Sequence, residues 1–277
     1  SLIGQRDADW RAIVVDDAPN DSSSRACAGV VADLDDPRIE YLRPPNRSGV
    51  AGAFNRCFEL ARERGATHVT VLHADDALEP WYLDEVRRAH LSDPDAAAVC
   101  TAVVVIDADG RTIWPIADRV KRRMWRRAPA SLSGEGGLTR LMHGQFLYCP
   151  ATSFRLEAFP SPAWDDRWRQ VMDLALYSQA LIGGSRIALV HRPSYRYRRH
   201  GASATQQNST SAVRIGEESA LCREVGDAAR ASGWRRASWA ARARVTVRLH
   251  GLVQVLQQLA RLQWRSAART LGHAVGP

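Results

Sequence analysis

Two adjacent carboxylates, Asp75 and Asp76, follow a short apolar run in the segment HVTVLHADDALEP, residues 68–80. Val69 to Leu72 reads as a buried strand, because the run is β-branched and ends abruptly in charge. Carboxylates at the carboxyl end of a strand in an open α/β sheet sit where such folds bind ligands. Hard oxygen ligands there suit Mg²⁺ or Mn²⁺ carrying a diphosphate, since such an ion takes one or two protein carboxylates and fills its other positions with phosphate and water. A second acidic pair, Asp16-Asp17, follows another apolar run, Arg11 to Val15. An isolated Asp-Asp is more often a solvated turn, so the weight of both pairs depends on the elements around them.

Those elements alternate. Arg25 to Leu34 has Cys27, Val30, Val31 and Leu34 on one helical face, and Ile39 to Leu42 is a strand broken by Pro44-Pro45-Asn46. Gly49 to Arg64 is a helix with an apolar stripe of Val50, Phe54, Cys57, Phe58 and Ala61, and Gly65 is placed to stop it. Strand, helix, strand, helix, strand at this spacing predicts a doubly wound, mostly parallel α/β sheet flanked by helices. Pro80 to His90 follows as a helix, Ala97 to Ile106 as a strand, and Asp107-Ala108-Asp109-Gly110 as a hairpin turn rather than a metal loop. Residues 115–137, basic at KRRMWRR (121–127) and glycine-rich at GEGG (134–137), read as a mobile loop. Leu138 to Met142 begins a short helix, and residues 144–155 include a strand. Asp165 to Leu181 is a helix carrying Asp173, Ile187 to Val190 is a strand, and PSYRYRRH (193–200) leads into a polar linker. From about Val213 the chain is helical, with Val245, Leu249, Leu252, Leu256 and Leu259 in a stripe expected to pack on its own domain.

Composition bounds the function. A chain of 277 residues suits one large domain with an appendage. No run of eighteen apolar residues exists, so no membrane-spanning helix is expected. Five scattered cysteines without a CxxC pair favour free, buried thiols in a reducing cytoplasm. The net charge of +8 is carried almost wholly by arginine, Lys121 being the only lysine, and permits an anionic partner. The opening residues read as the end of a helix leading into a strand, so an earlier strand is expected upstream.

In order, IVVDDAPND, NRSGVAGAFN, LHADDALEP, VMDLAL and YRRHGASAT resemble the inverting glycosyltransferase family 2, over roughly residues 1–205. The resemblance implies the GT-A nucleotide-sugar fold for 1–205, with 206–277 as a C-terminal helical region. It places Asp17, with Asp16 beside it, on the pyrimidine base, where a carboxylate suits the imide N–H of uracil or thymine. Asn46, Gly49 and Asn55 fall on the segment that passes the nucleoside. Asp75 falls on the ligand of Mn²⁺ or Mg²⁺ and Asp76 on its supporting neighbour, while His73 stands where an aspartate commonly meets the ribose. Asp173 falls on the general base, with Met172 in place of the usual glutamate and Asp165 or Asp166 as fallbacks. His200 matches a histidine that reaches the metal or the diphosphate, and Arg198 and Arg199 would clamp phosphate.

The reading is therefore a metal-dependent inverting glycosyltransferase using a nucleoside-diphosphate sugar, UDP ahead of dTDP on family frequency. The acceptor is open between a small metabolite and a glycan, and no nucleic-acid partner is expected. The C-terminal helices are candidates for a membrane-surface contact or a homodimer, and the expected location is the cytoplasm, peripheral to the membrane in the first of these cases. Three alternatives stand beside this. A receiver domain lacks its phosphoacceptor aspartate, an arginine-rich nucleic-acid binder lacks any supporting signature, and a non-catalytic scaffold draws only on the His73 and Met172 departures.

Overall fold

The structure, a computed structural model, describes residues 1–17, 20–44, 49–199 and 212–260, together with positions 264, 268 and 270–272. It opens with β1 (Ala12–Val15), α1 (Asp21–Leu34) and β2 (Ile39–Leu42), and β1 pairs β2 in parallel. Asn20 caps α1 by accepting the Ser23 N–H at 2.9 Å. The expected core face of α1 is not buried: Val30 and Leu34 are exposed, and Ser24 is its one buried residue.

The next helix, α2 (Gly49–Glu63), buries Ala51, Phe54, Phe58, Leu60 and Ala61 and leaves Val50 outside. Its stop is a left-handed Gly65 (φ 72°), where the Gly65 N–H donates to the Arg62 carbonyl and the Ala66 N–H to that of Ala61. Glycine adopts this conformation without a Cβ penalty.

The main sheet contains β3 (His68–Thr70), β4 (Ala77–Leu78), β5 (Ala96–Ile106), β6 (Ser131–Ser133), β7 (Thr152–Arg155) and β8 (Arg186–Arg198). The path runs β3-β7-β5-β8-β4, with β6 also on β8. β5 and β8 are parallel, and β7 lies antiparallel to both β3 and β5, so β3, β5 and β8 share one direction. With β4 and β6 antiparallel to β8 the sheet is mixed. α3 (Tyr82–Ser92) and α2 lie against it. Side chains alternate across the central strands as the pleat requires: Ala98, Cys100, Ile187 and Leu189 enter one core cluster, while Val99, Val103, Val105, Ala188 and Tyr195 enter another.

Residues 115–137 are not a loop. They form α4 (Ile116–Arg126), β6 and the start of α5 (Gly134–His143). Two anchors order α4. Asp118, fully buried, accepts from the Tyr148 hydroxyl at 2.7 Å and from Arg199 Nε and Nη2 at 2.6 and 2.8 Å. Trp125 packs edge-on against Phe146. The GEGG glycines open α5, and Gly137 is needed there because a Cβ would lie 3.0 Å from the Leu132 backbone. The hairpin turn is as expected, with Asp107 N–H donating to Arg111 O and Gly110 at φ 82°. The helix expected from Asp165 begins later, as α6 (Met172–Ile182).

Among the described residues α7 (Ala212–Ala231), α8 (Arg235–Ala243) and α9 (Val245–Ala260) follow. Ile215, Leu221, Val225, Ala237 and Ala241 join the same core cluster as β5 and α6. On α9 the stripe expected to pack inward faces out, with Val245, Leu249, Leu252 and Leu256 exposed, whereas Val247, Gln254 and Val255 are buried. A left-handed corner at Arg244 (φ 47°) joins α8 directly to α9 and sets that roll.

Two outcomes follow from this packing. His90 is buried, its Nε2 3.0 Å from Ser153 Oγ, and burial pushes its pKa down to about 3. Between about pH 3 and the ordinary histidine value the unfolded chain takes up a proton that the folded one refuses, so stability rises with pH across that window, by at most about 1.4 kcal/mol per pH unit. Urea unfolding from pH 4 to 7 is expected to show a shallower slope for His90→Gln than for the unaltered chain; equal slopes would remove His90 from the acid response. Asp118→Ala strands the Arg199 guanidinium, only 19% exposed, without its carboxylate. A loss of about 3 kcal/mol in denaturant-derived stability is expected, and a loss below about 1 kcal/mol, the range of a surface ion pair, would contradict the anchor.

Candidate functional site

The turn between β3 and β4 holds His73, Asp75 and Asp76 together, each offering a ligand atom within 4.8 Å of the others. The apolar strand ends here, and the Asp76 N–H closes the turn on the His73 carbonyl. The Asp76 side chain is only 1% exposed. It accepts the Tyr195 hydroxyl at 2.9 Å and the Arg198 backbone N–H at 2.6 Å, both from β8. Burial nevertheless pushes its carboxyl up to about 6, against those two hydrogen bonds. A divalent cation beside it would oppose that shift by stabilising the ionised form. Asp75 is the exposed member of the group.

His73 packs edge-on against Phe54 from α2, with ring centroids 5.7 Å apart. Burial lowers its pKa, and Asp75 opposes this only in part, so the imidazole is neutral at neutral pH. Its Nδ1 lies 4.0 Å from Asp76 Oδ2, and its buried Nε2 has no hydrogen-bond partner among the described residues. A neutral imidazole beside two carboxylates is a chemically suitable donor set for a divalent cation.

The two arginines at the end of β8 are turned onto the protein. Arg198 Nε donates to the Asp75 carbonyl at 2.6 Å, and its Nη1 to the carbonyls of Asp107 and Ala108. Arg199 grips Asp118 with two nitrogens, while its N–H donates to the Ile106 carbonyl. Around that ion pair lies a second group. Lys121 Nζ sits 4.5 Å from the Tyr148 ring, and burial pushes its pKa down to about 8, opposed first by the Asp173 charge. Asp173 stands in the first turn of α6, its Oδ1 accepting the Leu174 N–H at 2.8 Å and its Oδ2 the Gln145 amide at 3.3 Å. Of the fallback carboxylates, Asp165 is bound to Arg167 at 2.7 Å and Asp166 is exposed.

The remaining sequence candidates are placed differently. Asp16 is buried at the end of β1 and accepts the Tyr41 hydroxyl at 2.5 Å, with Asp17 next to it. Gly49 opens α2 at φ 71°, with open space where a Cβ would be. Asn55 lies within α2, but its amide is used on backbone: Oδ1 accepts the Ala163 and Trp164 N–H groups, and Nδ2 donates to the Trp164 carbonyl. It thereby fixes a fully buried Trp164 against Phe54, Phe58 and Phe154. Asn46 and His200 fall outside the described residues. Asp118, Lys121, Gln145, Tyr148 and Tyr195 escaped the sequence reading. The one available signal was Lys121, the only lysine of the chain.

The sequence and fold have recognisable relatives. The glycosyl transferase family 2 model matches residues 1–158. Succinoglycan biosynthesis protein ExoO of Rhizobium meliloti (strain 1021) is 27% identical over 200 residues, which are 71% of this chain and 54% of that protein. The chain thus spans about half the length of this relative. S. aureus TarS shares the fold at a TM-score of 0.53 and 14% identity, over 98% of this chain and 50% of TarS. The mannosyltransferase PcManGT from Pyrobaculum calidifontis, solved with GDP-Man and Mn²⁺, does so at 0.57 and 13%, over 99% of this chain and 80% of that one. With more than half of its length matched by one family model and with this GT-A architecture, the chain belongs to glycosyl transferase family 2.

Proposed function

We propose that this chain is an inverting glycosyltransferase that moves a sugar from a nucleoside-diphosphate donor to an acceptor hydroxyl. The observation that carries the reading is the His73, Asp75 and Asp76 cluster, tied through Arg198 to the strand end whose next residue, Arg199, pairs with Asp118 of α4. Asp75 and Asp76, with His73 beside them, would hold a divalent cation, which supplies charge neutralisation for a diphosphate. An imidazole next to two carboxylates favours Mn²⁺ over the strictly oxygen-seeking Mg²⁺. The cation and sugar-nucleotide in the PcManGT structure support the same chemistry.

Asp17 accepts the imide N–H of a uracil or thymine base, and Asp16, steadied by Tyr41, backs that wall. Gly49, without a side chain, lets the nucleoside approach α2. Arg198 and Arg199 hold the cluster and α4 in place, since both guanidinium groups are engaged by protein acceptors. Asp173 takes the proton from the acceptor hydroxyl as that oxygen attacks the anomeric carbon, opposite the departing diphosphate, and the anomeric centre inverts. Gln145 orients the carboxylate through its amide, 3.3 Å from Oδ2.

Calorimetric titration of UDP, dTDP and GDP, each with and without Mn²⁺, tests the donor side. Pyrimidine binding that requires Mn²⁺ and weakens on the order of 100-fold in Asp75→Ala is expected; binding indifferent to both would refute the site. For the base, release of nucleoside diphosphate from UDP-sugars is expected to slow on the order of 100-fold or more in Asp173→Asn, with nucleotide affinity retained and Asp165→Asn near the unaltered rate. Full activity in Asp173→Asn would assign the base elsewhere.

A further inference from the structure

Helix α4 has two sides of different character. Asp118, Lys121 and Trp125 turn inward, toward Arg199, Tyr148 and the Asp173 charge. Arg119, Arg122, Arg123, Arg126 and Arg127 are exposed and together line an open cavity of about 440 Å³. Their spacing puts like charges at i,i+3 and i,i+4, which disfavours a helix. Among the described residues none of the five is ion-paired with a carboxylate. The contacts they do make are local: Arg119 Nε donates to the Trp114 carbonyl at 2.8 Å, and the Arg122 guanidinium lies 4.6 Å from the Trp114 ring. Five unneutralised guanidinium groups around one concavity are suited to carboxylate or phosphate oxygens, which they bind in forked, charge-assisted pairs.

Resting on the transferase reading above, we propose that this arginine-lined cavity binds an anionic glycan acceptor, one bearing carboxylate or phosphate groups. The cavity lies on the outer side of the helix whose inner side carries Lys121, within the field of Asp173. An acceptor that reaches both sides of a helix about 10 Å across is an oligosaccharide or polymer rather than a single sugar. The concavity separates this occupant from a flat lipid surface. Exposed Ile116 and Val120 on the same helix nonetheless make an anionic membrane the competitor to be tested.

The test measures binding of the full chain to oligogalacturonate, to a short polyglycerol phosphate and to a neutral maltooligosaccharide of similar length. Vesicles of phosphatidylglycerol and of phosphatidylcholine form a separate arm. Arg123→Gln/Arg126→Gln is compared with Arg25→Gln/Arg230→Gln, which removes the same charge from exposed positions elsewhere; Arg126→Gln alone serves if the first double variant does not fold. At least one anionic glycan is expected to bind at 0.1 M salt, tenfold or more weakly after Arg123→Gln/Arg126→Gln and within twofold after Arg25→Gln/Arg230→Gln. Binding of the neutral oligosaccharide as tight as that of the anions overturns the proposal. So do equal losses in both double variants, no glycan binding at all, or binding only to phosphatidylglycerol vesicles through Arg123 and Arg126. Titration of UDP with Mn²⁺ in the same samples reports the donor site separately, so its failure and that of the arginine cavity are told apart.

Discussion

The buried carboxylate of Asp76 is the constraint on which the site depends. It is held by two donors from β8, the Tyr195 hydroxyl and the Arg198 N–H, and it therefore fastens the turn after β3 to the end of a strand far away in sequence. Burial alone drives that carboxyl toward its neutral form. The two hydrogen bonds oppose that drive in part. Asp76 is turned inward, and its neighbour Asp75 is left at the surface of the turn.

The same strand end does a second task one residue later. Arg199 pairs with Asp118, and that pair is what converts a very basic stretch into an ordered helix. Helix α4 would be disfavoured by its own arginines. It is held by one buried carboxylate and one buried tryptophan, and in return it sets Lys121 against Tyr148 and within the field of Asp173. The turn that carries His73, Asp75 and Asp76 and the basic helix α4 are thus tied to two consecutive residues at the end of β8, Arg198 and Arg199. Asn55 works similarly at a distance from the chemistry. Its amide closes three hydrogen bonds on the 163–164 backbone and seats Trp164 among the phenylalanines behind His73.

Much of the architecture was legible because its signals are local. Gly65 stopped α2 with the cap geometry its position implied, Asp-Gly at 109–110 made the hairpin turn, and β5, apolar but for Thr101, became the central strand. The failures share a cause. Val30 and Leu34 on α1, and the leucine row of α9, have helical spacing that names a face but not what that face meets, and both faces point outward. The basic stretch 115–137 read as a loop because the partner that orders it, Arg199, lies some eighty residues away.

The chain by itself determined the alternation of strands and helices up to β5, the carboxylates at the strand ends and the motifs that resemble the family, since periodicity, turn chemistry and motif spacing are properties of neighbouring residues. Only the tertiary structure decided what those residues meet: Asp76 the Tyr195 hydroxyl and the Arg198 N–H, Arg198 and Arg199 acceptors of the protein itself, Asn55 the 163–164 backbone, and Asp173 the Gln145 amide and the Lys121 charge. Each of these roles is set by a partner dozens of residues distant, and a side chain's chemistry is fixed by the acceptor, donor or charge that the fold puts beside it.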